Sequence, residues 1–185
     1  MTERADETGD GRGIRSGRAV ATVGSELMET VTADLEQFIP FQINQEEYAV
    51  EILAVRELIA WTEVTRLPNM PAHLRGVLNL RGSIIPVFDL KSRFGMGETD
   101  VSETHVIVIV AVGDRLAGIL VDGVREILNV ASDQIREVPD MYLMVDRKYL
   151  KGLATVDQRM VAILDTDQLF DPEDMAVIAD ETGKR

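Results

Sequence analysis

The sequence contains no cysteine, which excludes disulfides, thiolate nucleophiles and zinc-thiolate centres and is in keeping with a reducing cytoplasm. Histidine is nearly absent as well. His73 and His105 are the only two, and neither belongs to an HExxH-like spacing, so a metal centre would need carboxylates to complete it; both read as structural or surface side chains. Basic residues are outnumbered: 19 Lys and Arg stand against 32 Asp and Glu, and the formal net charge of −13 repels nucleic-acid phosphates and anionic lipid headgroups. Long apolar runs are missing too. The longest, Val106 to Val112, falls far short of the roughly 20 residues that span a bilayer, and Met1 to Gly24 lacks the apolar core of a signal peptide. The expectation is a soluble, intracellular protein.

Reactive constellations are equally scarce. There is no GxSxG elbow and no GxxxxGK[ST] loop, and Gly9, Gly11 and Gly13 lie in the opening segment instead of following a strand. The acids are dispersed, so they read as a solvated surface and not as a glycosidase-type carboxylate pair. Met141 and Met144 beside Tyr142 read as core filling. The expectation is no catalytic residue, no cofactor and no metal; a small hydrolase or metal enzyme on a barrel scaffold is the rival class.

What is present is organised around Leu74 to Leu90, LRGVLNLRGSIIPVFDL. Two apolar runs, Val77-Leu78 and Ile84 to Phe88, flank the turn-prone, cationic corner Asn79-Leu80-Arg81-Gly82, so the stretch predicts two strands with Arg81 presented to solvent. Asp89 is placed to start a short helix, Leu90 to Phe94, that stops at Gly95. The pattern returns. Leu150-Lys151-Gly152-Leu153 repeats Leu74-Arg75-Gly76-Val77, and Met160 to Asp165 repeats Ile84 to Asp89, each 76 residues on. Earlier positions repeat at 69: Val55-Arg56-Glu57-Leu58-Ile59 matches Val124-Arg125-Glu126-Ile127-Leu128, so the second copy carries seven extra residues, placed mostly between Pro139 and Arg147.

Taken in order, residues 1–34 comprise a mobile tail to about Gly24, without apolar periodicity, and a possible short helix in which Leu27, Met28, Val31, Leu35 and Phe38 share a face. A chain beginning near Met28 is expected to keep its fold. Residues 35–103 form the first lobe. It opens with a hairpin of Phe38 to Ile43, the turn Asn44 to Glu47, and Tyr48 to Val55, in which Tyr48, Val50 and Ile52 alternate with wet positions; Glu57 to Thr65 continues extended. Gly95 to Glu103 links the halves. Residues 104–170 form the second lobe, with the hairpin Val106 to Val112, Gly113-Asp114-Arg115, Leu116 to Val121. In 171–185, Asp171-Pro172-Glu173-Asp174 reads as the start of a helix whose apolar side is Met175, Val177 and Ile178. Repeated units of about five short strands predict an all-β fold of two small barrels. Val50, Ile52, Ile85, Val87, Ile119, Val121, Val161 and Ile163 are expected to pack the halves against each other.

The hairpin Glu47 to Ile52 followed by Val55-Arg56-Glu57, the segment Val64-Thr65-Arg66-Leu67-Pro68-Asn69 with Pro71, the run Gly76 to Gly82 with Pro86 and Asp89-Leu90, then Val121 to Val124 and Gln134-Ile135-Arg136, together resemble the CheW family of bacterial chemotaxis coupling proteins. The likeness runs from about Gln37 to Ile178. It implies one CheW-like domain over 35–182, built of two SH3-like five-stranded barrels, without catalytic activity or cofactor. It further implies an adaptor, cytoplasmic at the inner face of the membrane in receptor arrays, that binds the cytoplasmic tip of methyl-accepting chemotaxis receptors and the regulatory domain of the histidine kinase CheA. A coupler for a non-chemotactic receptor-kinase array, in surface motility or development, is the alternative. On this likeness Val55, Glu57, Arg81 and Val106 are receptor-binding, and Gly76, Asn79 and Gly82 are structural members of the motif. Glu57 and Arg81 are expected to form an ion pair, whereas Glu126 meets Asp157 at the place equivalent to Arg81.

Overall fold

The structure, a computed structural model, describes residues 34–140 and 145–176. Four hairpins dominate it, and each turns in two residues. Strands β1 (Leu35–Ile43) and β2 (Glu46–Glu51) meet at Asn44-Gln45, β4 (Leu74–Leu80) and β5 (Ser83–Asp89) at Arg81-Gly82, β6 (Val106–Val112) and β7 (Arg115–Val121) at Gly113-Asp114, and β11 (Leu150–Val156) and β12 (Arg159–Leu164) at Asp157-Gln158. At least one residue of each corner has positive φ, the backbone twist that matches paired strands. The first corner is therefore tighter than the four-residue turn expected.

The remaining elements are short. A 3-10 turn, Ile52–Ala54, leads into β3 (Val55–Ala60); α1 (Leu90–Arg93) follows β5; β8 (Gly123–Val124), β9 (Leu128–Ala131) and β10 (Ile135–Arg136) precede a 3-10 turn at Arg147–Tyr149; and α2 (Thr166–Leu169) follows β12. As anticipated, Asp89 caps α1, accepting from Ser92 N at 3.3 Å, and Gly95 follows it at φ 74°. Its repeat Asp165 caps α2 in the same way.

The strands form two sheets: a seven-stranded one in the order β10-β11-β12-β2-β1-β8, with β9 also on β1, and a five-stranded one in the order β3-β6-β7-β5-β4. The all-β expectation holds. Neither sheet closes among the described residues, so they display two open sheets where closed SH3-like barrels were expected. Nor do the sheets follow the division at 103/104. Hairpin β1–β2 lies in one sheet with the strands of residues 123–164, while β6–β7 lies in the other with β3, β4 and β5. The cause is local: Ile52–Ala54 breaks what reads as one strand from Tyr48 to Val55 and turns the chain from the first sheet into the second.

Among the described residues the core has three parts. The largest lies between the sheets and joins Phe41, Ile43, Tyr48 and Val50 to Phe88, Val108, Val110, Ile119 and Val121. A second covers the other face of the seven-stranded sheet with Phe38, Ala49, Val130, Val161 and Ile163, and a third the other face of the five-stranded sheet with Ile85, Val87, Ile107, Ile109 and Leu120. Of the eight residues expected between the halves, Val50, Ile119 and Val121 are there. Ile85, Val87, Val161 and Ile163 point the opposite way, because alternation hands the shared layer to their neighbours Phe88, Ala162 and Leu164; Ile52 is only half-buried in its turn. Both faces of β2 are covered, so Tyr48, Ala49 and Val50 are all buried where one wet face was expected.

Leu35 and Phe38, assigned to a helical stripe, lie in β1, with Phe38 fully buried. Leu27, Met28 and Val31, the tail, Met141, Tyr142 and Met144, and Val177 and Ile178 fall outside the described residues. Helix does begin at residue 172. There Arg93 donates to Asp171 (2.9 Å) and Asp174 (2.6 Å), and Met175 is buried in the shared core.

Candidate functional site

The corner between β4 and β5 is built from its register upward. Leu80 pairs with Ser83, leaving Arg81 (φ 53°) and Gly82 (φ 89°) as a two-residue loop with both residues left-handed, as a type I′ corner requires. Asn79 Oδ1 accepts from the Gly82 amide at 2.9 Å. From this corner the Arg81 guanidinium donates through both terminal nitrogens to the two Glu57 oxygens, each at 2.9 Å, so the ion pair expected from the sequence is present and bidentate. The Arg81 side chain is 75% exposed and that of Glu57 32%. Glu57 lies on β3 and Arg81 beside β4, the two edge strands of the five-stranded sheet, so the pair spans its open side.

Gly76 has a separate task. A Cβ there would lie 2.5 Å from the Thr65 carbonyl oxygen, because Thr65 and Val77 exchange backbone hydrogen bonds of 2.8 and 2.9 Å at that point. Only glycine admits so close a crossing. Its repeat, Gly152, is crowded likewise by Ile135 and Arg136. Val55 and Val106 are both half-buried and pack against the rim of the shared core. The structure thus brings Glu57 and Arg81 into contact, holds Asn79 and Gly82 in the same corner, and sets Val55 and Val106 along the core's edge.

The second copy is different. Asp157 (φ 48°) and Gln158 (φ 64°) form the same kind of corner, but Asp157 and Glu126 line one open cleft with Ile127 and Arg159, and two carboxylates stand where the first copy has a cation and an anion.

Two polar centres went unforeseen. Asp89, fully buried, accepts from the Thr99 amide (2.8 Å) and hydroxyl (2.7 Å), with Arg75 Nε at 3.8 Å; the segment between α1 and β6 is thereby pinned to the strand end. Asp174 accepts from Arg93 and shares a 2.9 Å contact with His73 Nε2. Burial by itself would raise its pKa, but the hydrogen bonds from His73 and Arg93 outweigh that and hold the carboxyl below its ordinary range. His105 is held by Ser102 and lies 3.4 Å from Asp122, so both histidines are structural. Burial, followed by its hydrogen bond to Glu46, pushes the Tyr48 phenol far above its usual range. No group of three or more metal-ligating side chains occurs among the described residues.

The family model of the CheW-like domain matches residues 37–174. The chemotaxis protein CheW of Klebsiella aerogenes is 36% identical over 159 residues, covering 86% of this chain and 94% of that protein, and CheW of Rhizobium meliloti is 36% identical over 138 residues, covering 75% and 89%. Among solved structures, the scaffolding protein CheW of Thermoanaerobacter tengcongensis superposes with a TM-score of 0.70 at 32% identity, covering 76% of this chain and 90% of that one. The match takes in nearly all the described strands, the Glu57–Arg81 corner included, and on that ground the chain belongs to the CheW-like family of non-catalytic scaffolds.

Proposed function

We propose that this protein is a coupling adaptor that links the cytoplasmic tip of methyl-accepting chemotaxis receptors to the regulatory domain of the histidine kinase CheA, in arrays at the inner face of the membrane. The observation that carries the reading is the match over residues 37–174 to a family whose relatives are named for chemotaxis. Two structural features support it. No helix among the described residues is long and apolar enough to cross a membrane, which suits a protein that reaches the membrane through partners. The second is the exposed bidentate pair, with half-buried Val55 two residues before Glu57 on the same strand, which offers polar complementarity next to apolar surface.

In this reading Val55, Glu57, Arg81 and Val106 contact the receptor, while Gly76, Asn79 and Gly82 maintain the backbone that carries Arg81. A role in a non-chemotactic array is the alternative reading, and the relatives named for chemotaxis favour the first. The test is co-sedimentation with receptor-bearing membranes and CheA, together with kinase assay. The protein is expected to pellet with both and to raise kinase activity in a receptor-dependent way, and Arg81→Ala is expected to weaken that coupling at an almost unchanged melting temperature. Failure of the unaltered protein to join receptor and kinase would overturn the proposal.

A further inference from the structure

We propose that Asn79 is a positioning residue for Arg81, holding the β4–β5 corner so that the guanidinium meets Glu57 and the partner from one fixed direction; this rests on reading Arg81 as a receptor contact. The bond from the Gly82 amide to Asn79 Oδ1, 2.9 Å long, ties the backbone just after Arg81 to the strand just before it.

That bond is not needed to form the corner. Asp157-Gln158 adopts a left-handed pair in the second copy with Thr155 at the place of Asn79, and among the described residues Thr155 makes no side-chain bond to its corner. Asn44-Gln45 is a third two-residue corner, also with both φ values positive. What Asn79 adds is restraint. Arg81 is a long, 75% exposed side chain, and a guanidinium keeps one direction only if both ends are held. Glu57 holds the far end through two 2.9 Å bonds, and Asn79 holds the near end through the backbone. The first corner, which carries a cation for contact, has the restraint; the second, which carries Asp157, lacks it.

The test uses the full chain in reconstituted receptor–kinase arrays, comparing Asn79→Ala, Asn79→Asp, Arg81→Ala and the Asn79→Ala/Arg81→Ala double variant. Asn79→Ala is expected to lower receptor-dependent kinase stimulation by roughly tenfold, towards the level of Arg81→Ala, and the double variant is expected to be no worse than Arg81→Ala alone. Asn79→Asp keeps an acceptor oxygen at the same place and should restore coupling. All four should melt within a few degrees of the unaltered protein, as expected for surface positions. Normal coupling by Asn79→Ala beside a failing Arg81→Ala overturns this inference and leaves the adaptor reading standing, whereas normal coupling by Arg81→Ala overturns the receptor role of the corner and this inference with it. Additive losses in the double variant, no rescue by Asn79→Asp, or unfolding of Asn79→Ala would each assign Asn79 a different role and overturn it.

Discussion

The corners at Arg81-Gly82 and Asp157-Gln158 share a backbone and differ in the charge carried at the tip. Each follows a strand whose glycine, Gly76 or Gly152, lets another segment cross closely, and each precedes a strand that leads into an aspartate capping a short helix, Asp89 or Asp165. The buried and crossing positions of the repeat are alike because the same packing problem is solved twice. At the tip, one copy displays a bidentate ion pair and the other an aspartate, in an open cleft that Glu126, Arg125 and Arg159 also line. A scaffold can be duplicated without duplicating the contact it presents, since an exposed pair contributes only about 0 to 1 kcal/mol to the fold and is free to change.

The largest effect should come from what the copies hold in common. Ile119, fully buried in the layer between the sheets, should cost about 2 to 5 kcal/mol when cut to alanine, measured by denaturant unfolding, and should loosen both corners together. A loss well under about 1 kcal/mol would mean that the layer does not join them.

Next come the crossings. Gly76→Ala drives a Cβ onto a backbone oxygen that cannot turn aside, and should cost about 1 to 3 kcal/mol. Gly152→Ala meets Cγ2 of Ile135 at 2.6 Å and the nearest backbone oxygen, that of Arg136, only at 3.0 Å, and should cost less. Equal melting temperatures for the two variants would break this distinction.

The third effect follows from a clasp made to the first copy only, where His73 and Arg93 hold Asp174. Because the folded-state pKa of Asp174 lies below its ordinary value of 3.8, its contribution is present above that pH and is lost as pH falls through the folded value. Asp174→Asn should therefore lower stability at neutral pH and flatten the decline in stability between neutral and strongly acidic solution. A decline as steep in the variant would assign the acid sensitivity to other carboxylates.

The smallest effect should be Asp157→Arg, which puts a guanidinium at the place equivalent to Arg81, in the cleft that Glu126 lines together with Arg125 and Arg159. A gain of about 0 to 1 kcal/mol is expected, eroded by salt. A structure of the variant with the introduced guanidinium turned away from Glu126 would show that the corners differ in geometry as well as in charge.

Much of this was legible in the sequence. The hairpins are legible in the apolar runs that flank Asn44 to Glu47, Asn79 to Gly82 and Gly113 to Arg115, and in the return of the Leu74 to Asp89 pattern 76 residues on, and the Glu57–Arg81 pair was reachable because the repeat set the two positions against their acidic counterparts. The sheet assignment was not. Ile52, Leu53 and Ala54 are apolar and read as more strand, yet they form the turn where the chain changes sheets. Facing failed at Ile85, Val87, Val161 and Ile163 because strands buried on both sides carry no alternation to show which apolar residue faces which layer. The hold of Asp89 on Thr99 and of Arg93 on Asp174 spans 10 and 81 residues, and no local pattern marks such partners.

The parallel pairing of β12 with β2, which sets Ile163 beside Ala49, also dictates a timetable. During synthesis the β1–β2 hairpin, complete at Glu51, leaves the ribosome long before the strand that covers its edge, which begins only at Arg159, exists. Until then Tyr48 to Val50 has an unpaired flank, and loop closure of that length is slow. A translational stall within the second copy would leave a nascent chain with the unpaired edge Tyr48 to Val50 guarded only by the flanking Glu46, Glu47 and Glu51, the condition under which chaperone capture or strand-to-strand aggregation competes with folding. The last of the described strands to be made is the one for which the second strand has been waiting.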